Sequence, residues 1–531
     1  MAFQGFTMPP PYGGLDLVSP IDNMDPASAL ELVNVFPGPN APTVRFGYES
    51  FATIGATTPI VTLASLQLKD GTTQLVATTS SNVYKITSGA VSSSIKGATT
   101  VTNGEFQTVT YANNLYLCNG VDDAKVYTGT GNISDVTFTG VTKSNLINVT
   151  TYKERLYFVE KSTAKVWYGG LQVTGVSGTP ALTSFDFQYV FTKGGFLVGI
   201  GSFSTNTSMT SQDYFWACSS EGEVVFYNGT YAGDPTSWSL AARYYIGKPM
   251  GYRAFVQFNN DVWVITEQGI VPISGLFMAD PEAALEIVSR KVNPLISEYA
   301  ALFPFDHQWT GFFWPQGRRI YINLPITGSS NRFLVYSIDT KGWTLFQLSS
   351  DDHACSSCLF NTKPYYASST GVVWKGETGQ SDAVTSTDSQ PILFAGRTAF
   401  NFYGSRSNYK AFKDIRPILK LKRGVSLYVG LDVDFRISDS LAPLTTSGVG
   451  SFTPWGSPWG VAPGTSLPVA PFTPVPAVTP PAWSAGVEYV FDRYATKGQG
   501  HCAAVRFAGS LKSSTMQILG FEVRYDMGGQ V

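Results

Sequence analysis

Residues 154–168, ERLYFVEKSTAKVWY, read as strand, short polar turn, strand. Both arms are rich in β-branched and aromatic residues, which suit a pleated, half-buried surface. One such hairpin cannot bury its own apolar surface. The design recurs along the chain. Gln74–Ala77 faces Asn82–Ile86, Asn114–Leu117 faces Lys125–Tyr127, and Tyr214–Ala217 faces Val224–Tyr227 across Ser220-Glu221-Gly222. Val262–Ile265 then faces Ile270–Ile273, Arg319–Ile322 faces Phe333–Tyr336, and Pro364–Ala367 faces Val372–Trp374. A repeat of about 40–60 residues with several short strands per unit is the signature of a β-propeller. Each blade is covered only by its neighbours, so the ring must close. The reading is therefore all-β: a β-propeller of six or seven blades, its first and last strands sharing one blade. A row of separate β-sandwiches is the competing arrangement, and the near-regular spacing of the aromatic hairpins favours the ring.

The 531 residues suggest two to four domains. Charged residues make up only 14%, while Gly (52) and Pro (31) are plentiful, as expected of many short strands joined by turns. A formal net charge of −2 provides no basic field. Tight nucleic-acid binding needs clustered Lys and Arg to replace counterions, so a dedicated DNA-binding protein is not expected. Five Cys, an odd number in so long a chain, make no disulfide framework and suit a reducing compartment. The N-terminus lacks the basic and apolar regions of a signal peptide, and no apolar run approaches the ~20 residues of a membrane helix, so stable membrane insertion is not expected.

Outward from the ring, residues 1–60 read as an N-terminal arm. Within it Asp25–Leu32 has a helix-start signal, Asp25 as N-cap and Pro26 in the first turn, and is expected to form one or two helical turns. Arg45–Tyr48 reads as a short extended piece. The propeller is expected over 61–380, with a helical insertion near 280–302 that begins at Asp280-Pro281 and restarts at Pro294. Residues 381–531 read as an additional C-terminal β domain containing a Pro/Trp-rich loop near 452–483.

Few constellations suggest chemistry. His353, Cys355 and Cys358 lie close together, but no second CxxC or HxxxH completes a zinc set, so no metal is expected. Ser337-Ile338-Asp339-Thr340-Lys341-Gly342-Trp343 is similar to the Asp box of sialidases, with the Gly one place late and the Trp one place early. That box is a structural turn, and the catalytic arginine cluster and acid/base carboxylates have no counterpart. The same residue types also resemble kelch-type blades. No Gly-Lys-Ser/Thr loop is present, and the Gly-rich stretch 194–201 has no following helix, so no nucleotide cofactor is expected. The densest positive run is Lys410, Lys413, Arg416, Lys420, Lys422 and Arg423. It is either the solvent face of a strand pair or a contact for an acidic partner or passing nucleic acid. Trp455, Trp459 and Trp483 sit on a Pro-rich loop, where an indole packs on its own domain or inserts into a partner.

Gly13–Pro20, Met24–Val35 and Arg45-Phe46-Gly47-Tyr48, in that order, resemble the opening of the tail nozzle proteins of short-tailed bacteriophages, also called packaged-DNA stabilisation or tail tubular proteins. Lys410–Pro417, Val429–Phe435 and the Gly528-Gly529 ending are similar to that family's later strands. The chain departs at Asp16, where Asn is commoner, and in the crowding of Pro39 and Pro42. The resemblance implies a non-enzymatic structural protein of the virion tail, assembled in the host cytoplasm. It implies a homo-oligomeric ring, a hexamer in the family, below a head-to-tail adaptor and carrying fibres or spikes. Such a ring retains packaged double-stranded DNA and lets it pass into the host without specific binding. The expected interaction residues are Gly14, Leu15, Asn34, Arg45 and Gly47 in the arm, Lys410 and Lys413 in the basic run, and Trp455, Trp459 and Trp483. The alternative is a carbohydrate-binding or glycan-cleaving β-propeller.

Overall fold

The computed structural model describes residues 4–55, 58–206, 211–277, 287–325, 332–348, 354–385, 388–421, 425–437, 473–474, 488–490 and 493–530. The chain divides into two compact units. One holds residues 50–334 and 351–376; the other holds 1–49, 335–350 and 377–531.

The first unit is a six-bladed β-propeller core. Four consecutive blades are four-stranded meanders that open with Thr62–Gln67, Gln107–Tyr111, Leu146–Tyr152 and Leu197–Asn206. The fifth is the three-stranded sheet Phe255–Phe258, Asp261–Thr266 and Gly269–Pro272. A further hairpin, Thr310–Trp314 with Arg319–Asn323, stands between the fifth blade and the last. The last blade is built from Ala354–Phe360, Lys363–Ser368 and Val372–Gly376, and its outer strand is Tyr48–Thr53 from the other end of the chain. This shared blade closes the ring.

The reason for closure is visible in the opening hairpin. Its strands pair with Tyr157 opposite Tyr168 and Val159 opposite Val166. Alternate residues of a strand point to opposite faces. Leu156 and Phe158 pack with Tyr116, Cys118 and Val126 of the preceding blade. Tyr157 and Val159 pack with Phe215, Ala217 and Val225 of the following blade. All four side chains of the hairpin are fully buried. Each contributes roughly 1.5–3 kcal/mol only when the neighbour on its own face is in place, so the hairpin as a whole needs both. An unbroken apolar run thus reads as a strand sandwiched on both faces. The other hairpins pair in the same way, for example Phe215 with Tyr227, Trp263 with Pro272 and Tyr366 with Trp374.

The α-helix Asn293–Leu302 carries Pro294 in its first turn and buries Ile296, Tyr299 and Ala300. It lies against the strand Gly269–Pro272 of the fifth blade. The expected helix start at Asp280 lies outside the described residues, and among those residues no helix is long and apolar enough to cross a membrane.

The second unit packs two sheets. One runs Gly342–Gln347, Ser28–Val33, Ile392–Thr398, Ala503–Leu511, Ser426–Val433. The other is centred on the long antiparallel pair Asn408–Leu421 and Met516–Gln530, with Gln4–Met8 added to the latter. Phe507 of the first sheet stacks on Phe521 of the second at 5.5 Å. Arm and C-terminal strands therefore share a single body. Ser28–Val33 corrects the helical reading of this segment: it is a strand, paired with Ala395–Thr398. Asp25 Oδ1 does accept from Ala27 N at 2.9 Å, so the local turn signal is used, but ladder pairing overrides helix propensity after it.

Candidate functional site

The arm residues expected to meet a partner are brought together inside the second unit. Gly14 has φ +75°, and a Cβ there would lie 2.6 Å from the backbone N and O of Trp343. Leu15 is buried. Asn34 is a buried non-glycine residue at φ 59°. Its amide donates to Gln347 O (3.0 Å) and Leu393 O (2.7 Å), and its Oδ1 accepts from Gln347 N (2.9 Å) and Arg45 Nε (3.0 Å). Asn is one of the few non-glycine residues that visit the left-handed region, and here partners distant in sequence hold its side chain in place. Arg45 is buried and grips Asp382 with two hydrogen bonds, 2.6 and 2.5 Å. It also donates to Phe46 O and Gln347 O, and its guanidinium lies 4.7 Å from the Phe346 ring centre. Burial alone would lower the Arg45 pKa, but the Asp382 carboxylate reverses this and leaves it raised. Gly47 runs against Ser381, and a Cβ would fall 1.8 Å from Ser381 O.

These five residues are thus a joint between arm and C-terminal segment rather than an exposed contact surface. Burial and mutual hydrogen bonding consume their polar groups. Sequence reasoning missed their key partner, Asp382, because it lies 337 residues from Arg45 and carries no local motif.

The basic run also needs correcting. Lys410 is fully buried. Its ammonium donates to the carbonyls of Ser405 (2.5 Å), Asn408 (3.0 Å) and His501 (2.9 Å), and burial holds its pKa below the usual lysine value. Lys413 is exposed and stands 3.4 Å from Asp526. Beyond it Asp414 meets Arg493 (3.0 Å) and Arg524 (2.9 Å), while Glu522 meets Arg493 (2.9 Å) and Arg416 (3.2 Å). Within the run, cross-strand carboxylates therefore pair Lys413 and Arg416. Lys422, Arg423, Trp455, Trp459 and Trp483 lie outside the described residues.

Within the propeller, Arg253 and His307 precede the inner strands Phe255–Phe258 and Thr310–Trp314. Arg253 Nη1 is 3.0 Å from His307 Nε2, and Nη2 is 3.3 Å from Ser356 Oγ on the inner strand of the last blade. Burial and the adjacent guanidinium push His307 down to about 2, so it is a neutral acceptor at this spot. Burial lowers Arg253 to about 10. Sequence reading singled out no role for this pair. Among the described residues no group of three or more His, Cys, Asp or Glu could hold a metal ion. His353 lies outside them, and the described cysteines are free thiols.

No protein-family model matches the chain, and no curated protein matches it. Similar solved structures include a mitotic checkpoint complex (11% identity, 62% of this chain and 93% of that one, TM-score 0.39). They also include YCF48 bound to a D1 peptide (9% identity, 65% and 98%, TM-score 0.37). A third is virginiamycin B lyase from Staphylococcus aureus (14% identity, 59% and 80%, TM-score 0.29). Likenesses at these scores carry no argument about what this chain does.

Proposed function

We propose that the chain is a structural component of a short phage tail, a nozzle-type ring subunit that retains packaged DNA and conducts it during ejection. The observation that carries the reading is the arm joint. Gly14, Asn34, Arg45 and Gly47, on which the resemblance rests, are held by Trp343, Gln347, Asp382 and Ser381. A sequence pattern that looks like scattered short motifs thereby acquires one physical reason, the clamping of an N-terminal arm to later strands.

The charge arrangement supports the same reading. A conduit for a polyanion works by shape, because each phosphate contact would retard transit. The net charge of −2 and the pairing of Lys413 with Asp526 and of Arg416 with Glu522 suit that role. The proposed assembly is a homo-oligomeric ring with an adaptor on one side and fibres or spikes around it.

The test is electron microscopy and native mass spectrometry of the purified full-length protein, alone and from particles. Closed rings of identical subunits, and a stoichiometric ring of this chain in tails, are expected. A protein that stays monomeric at all concentrations and never copurifies with tails would sink the proposal.

A further inference from the structure

We propose that the propeller carries a binding cleft for neutral saccharide units at the turn that opens the hairpin 154–168. The inference does not rest on the tail reading. A cavity of about 380 Å³ lies where the second, third and fourth blades meet, lined among others by Tyr111, Tyr152, Lys153, Glu154 and Asp213. One wall is the first hairpin of the fourth blade. Its strands are 10 and 9 residues long, against 5 and 5 in the second blade, so it continues past Asp213.

The turn itself is unusual in composition. Lys153 and Glu154 have φ of 44° and 58°. A two-residue hairpin turn with both residues left-handed is best served by Asn-Gly. The corresponding turns of the second and last blades use Ala112-Asn113 and Asn361-Thr362, with no charge. Only here among these three does the chain place two charged side chains on a backbone that disfavours them, and both line the cavity.

The donors and acceptors are fixed. Asp213 accepts from Lys153 Nζ (2.8 Å) and Ser204 Oγ (2.6 Å), one on each oxygen. These two hydrogen bonds hold its carboxyl below the usual range, so it stays ionised. The Tyr111 hydroxyl donates to Glu154 O at 2.7 Å, which sets its ring at the cavity edge. An ionised carboxylate beside an ammonium suits two adjacent hydroxyls, one donating and one accepting, while a tyrosine ring covers the C–H face of a sugar. Lys153, Glu154 and Asp213 sum to −1, which disfavours phosphate, nucleic acid and acidic sugars. A hydrocarbon ligand would desolvate Lys153, Glu154 and Asp213 without offering them a hydrogen bond.

The experiment is a glycan array with the full chain, covering neutral and acidic mono- to tetrasaccharides, followed by titration calorimetry with the best neutral glycan and with inorganic phosphate. Neutral glycans should bind with a dissociation constant of about 1 mM, and phosphate should not bind. Asp213→Ala and Tyr111→Ala should each weaken the best glycan at least tenfold. The double change Lys153→Asn with Glu154→Gly restores the favoured turn. It should melt no lower than the parent, yet lose binding at least tenfold, an outcome that a purely structural turn would not give. A preference for acidic glycans or phosphate, the absence of any glycan binding, or neutral-glycan binding untouched by the double change would overturn the proposal.

Discussion

Replacing Arg45 by Met tests the joint directly. The substitution keeps bulk but leaves the buried Asp382 carboxylate without its guanidinium, and it strips donors from Asn34 Oδ1, Phe46 O and Gln347 O. Breaking a buried ion pair on one side costs about 3–5 kcal/mol, because an uncompensated charge stays behind. The unit still folds if its stability lies in the ordinary range of about 5–15 kcal/mol. Local opening should then become roughly two to three and a half decades more frequent. Hydrogen-exchange mass spectrometry reads this at amides such as Asn34 N and Gln347 N, which are bonded to Leu345 O and Asn34 Oδ1. Amides of the propeller strand Arg155–Glu160 serve as the internal control and should not change. Adding Asp382→Leu should recover much of the loss, since no charge is then stranded. Arg45→Met rates within threefold of the parent, or a double variant as damaged as the sum of both single changes, would refute the reasoning.

Other perturbations address separate parts of the molecule. His307 titrates near 6.5 when unfolded and is held down to about 2 in the fold, so its contribution is present above pH 6.5 and lost as pH falls. Between pH 7 and 5 this amounts to about 2 kcal/mol, and urea titrations at the two pH values should show a correspondingly smaller drop for His307→Gln; equal drops would reject the assignment. Gly47→Ala should cost more than about 3 kcal/mol or abolish soluble expression, because its Cβ meets Ser381 O at 1.8 Å. Gly71→Ala, at φ +85° but in open space, should cost only about 1–2 kcal/mol by thermal melting. Hydrogen bonds from Arg493 hold Glu522 below its usual range, and for Asp414 the arginine hydrogen bonds more than reverse the upward push of burial. That contribution is present above about pH 4.3 and lost as pH falls through the depressed folded values. Arg493→Ala should therefore flatten the acid limb of stability between about pH 4.5 and 2.5, by under ~1 kcal/mol for so exposed a lattice, and 1 M salt should mask the difference.

The propeller was legible because each blade declares itself within about 40–60 residues. Leu156 to Val159 and their partners Val166 to Tyr168 need only a turn between them, and unbroken apolar runs already say that both faces are covered. The arm was misread at Ser28–Leu32 because its local signal, Asp25 before Pro26, favours a helix start, whereas the partner strand Ile392–Thr398 lies hundreds of residues later. Long-range pairing has no local signature. Lys410 was placed on the surface by the general habit of lysine, and its three acceptors are backbone carbonyls, which no side-chain motif reveals. The cleft did leave a trace. Lys153-Glu154 occupies a two-residue turn where Asn-Gly would be easier, and a mismatch between turn chemistry and residue type is readable from sequence once the hairpin is recognised.

The strand that closes the ring has a consequence for how the protein is made. Tyr48–Thr53 leaves the ribosome long before its partner strand, Val372–Gly376. At about 5–20 residues per second, the 319 residues from Thr53 to Val372 take roughly 16–64 s to synthesise. For that interval the first blade lacks a neighbour on one side, and Tyr48–Thr53 waits with an unpaired edge. Each nascent chain therefore exposes the same strand edge for as long as its ring stays open. Where many copies are translated side by side, intermolecular pairing at that edge would compete with closure.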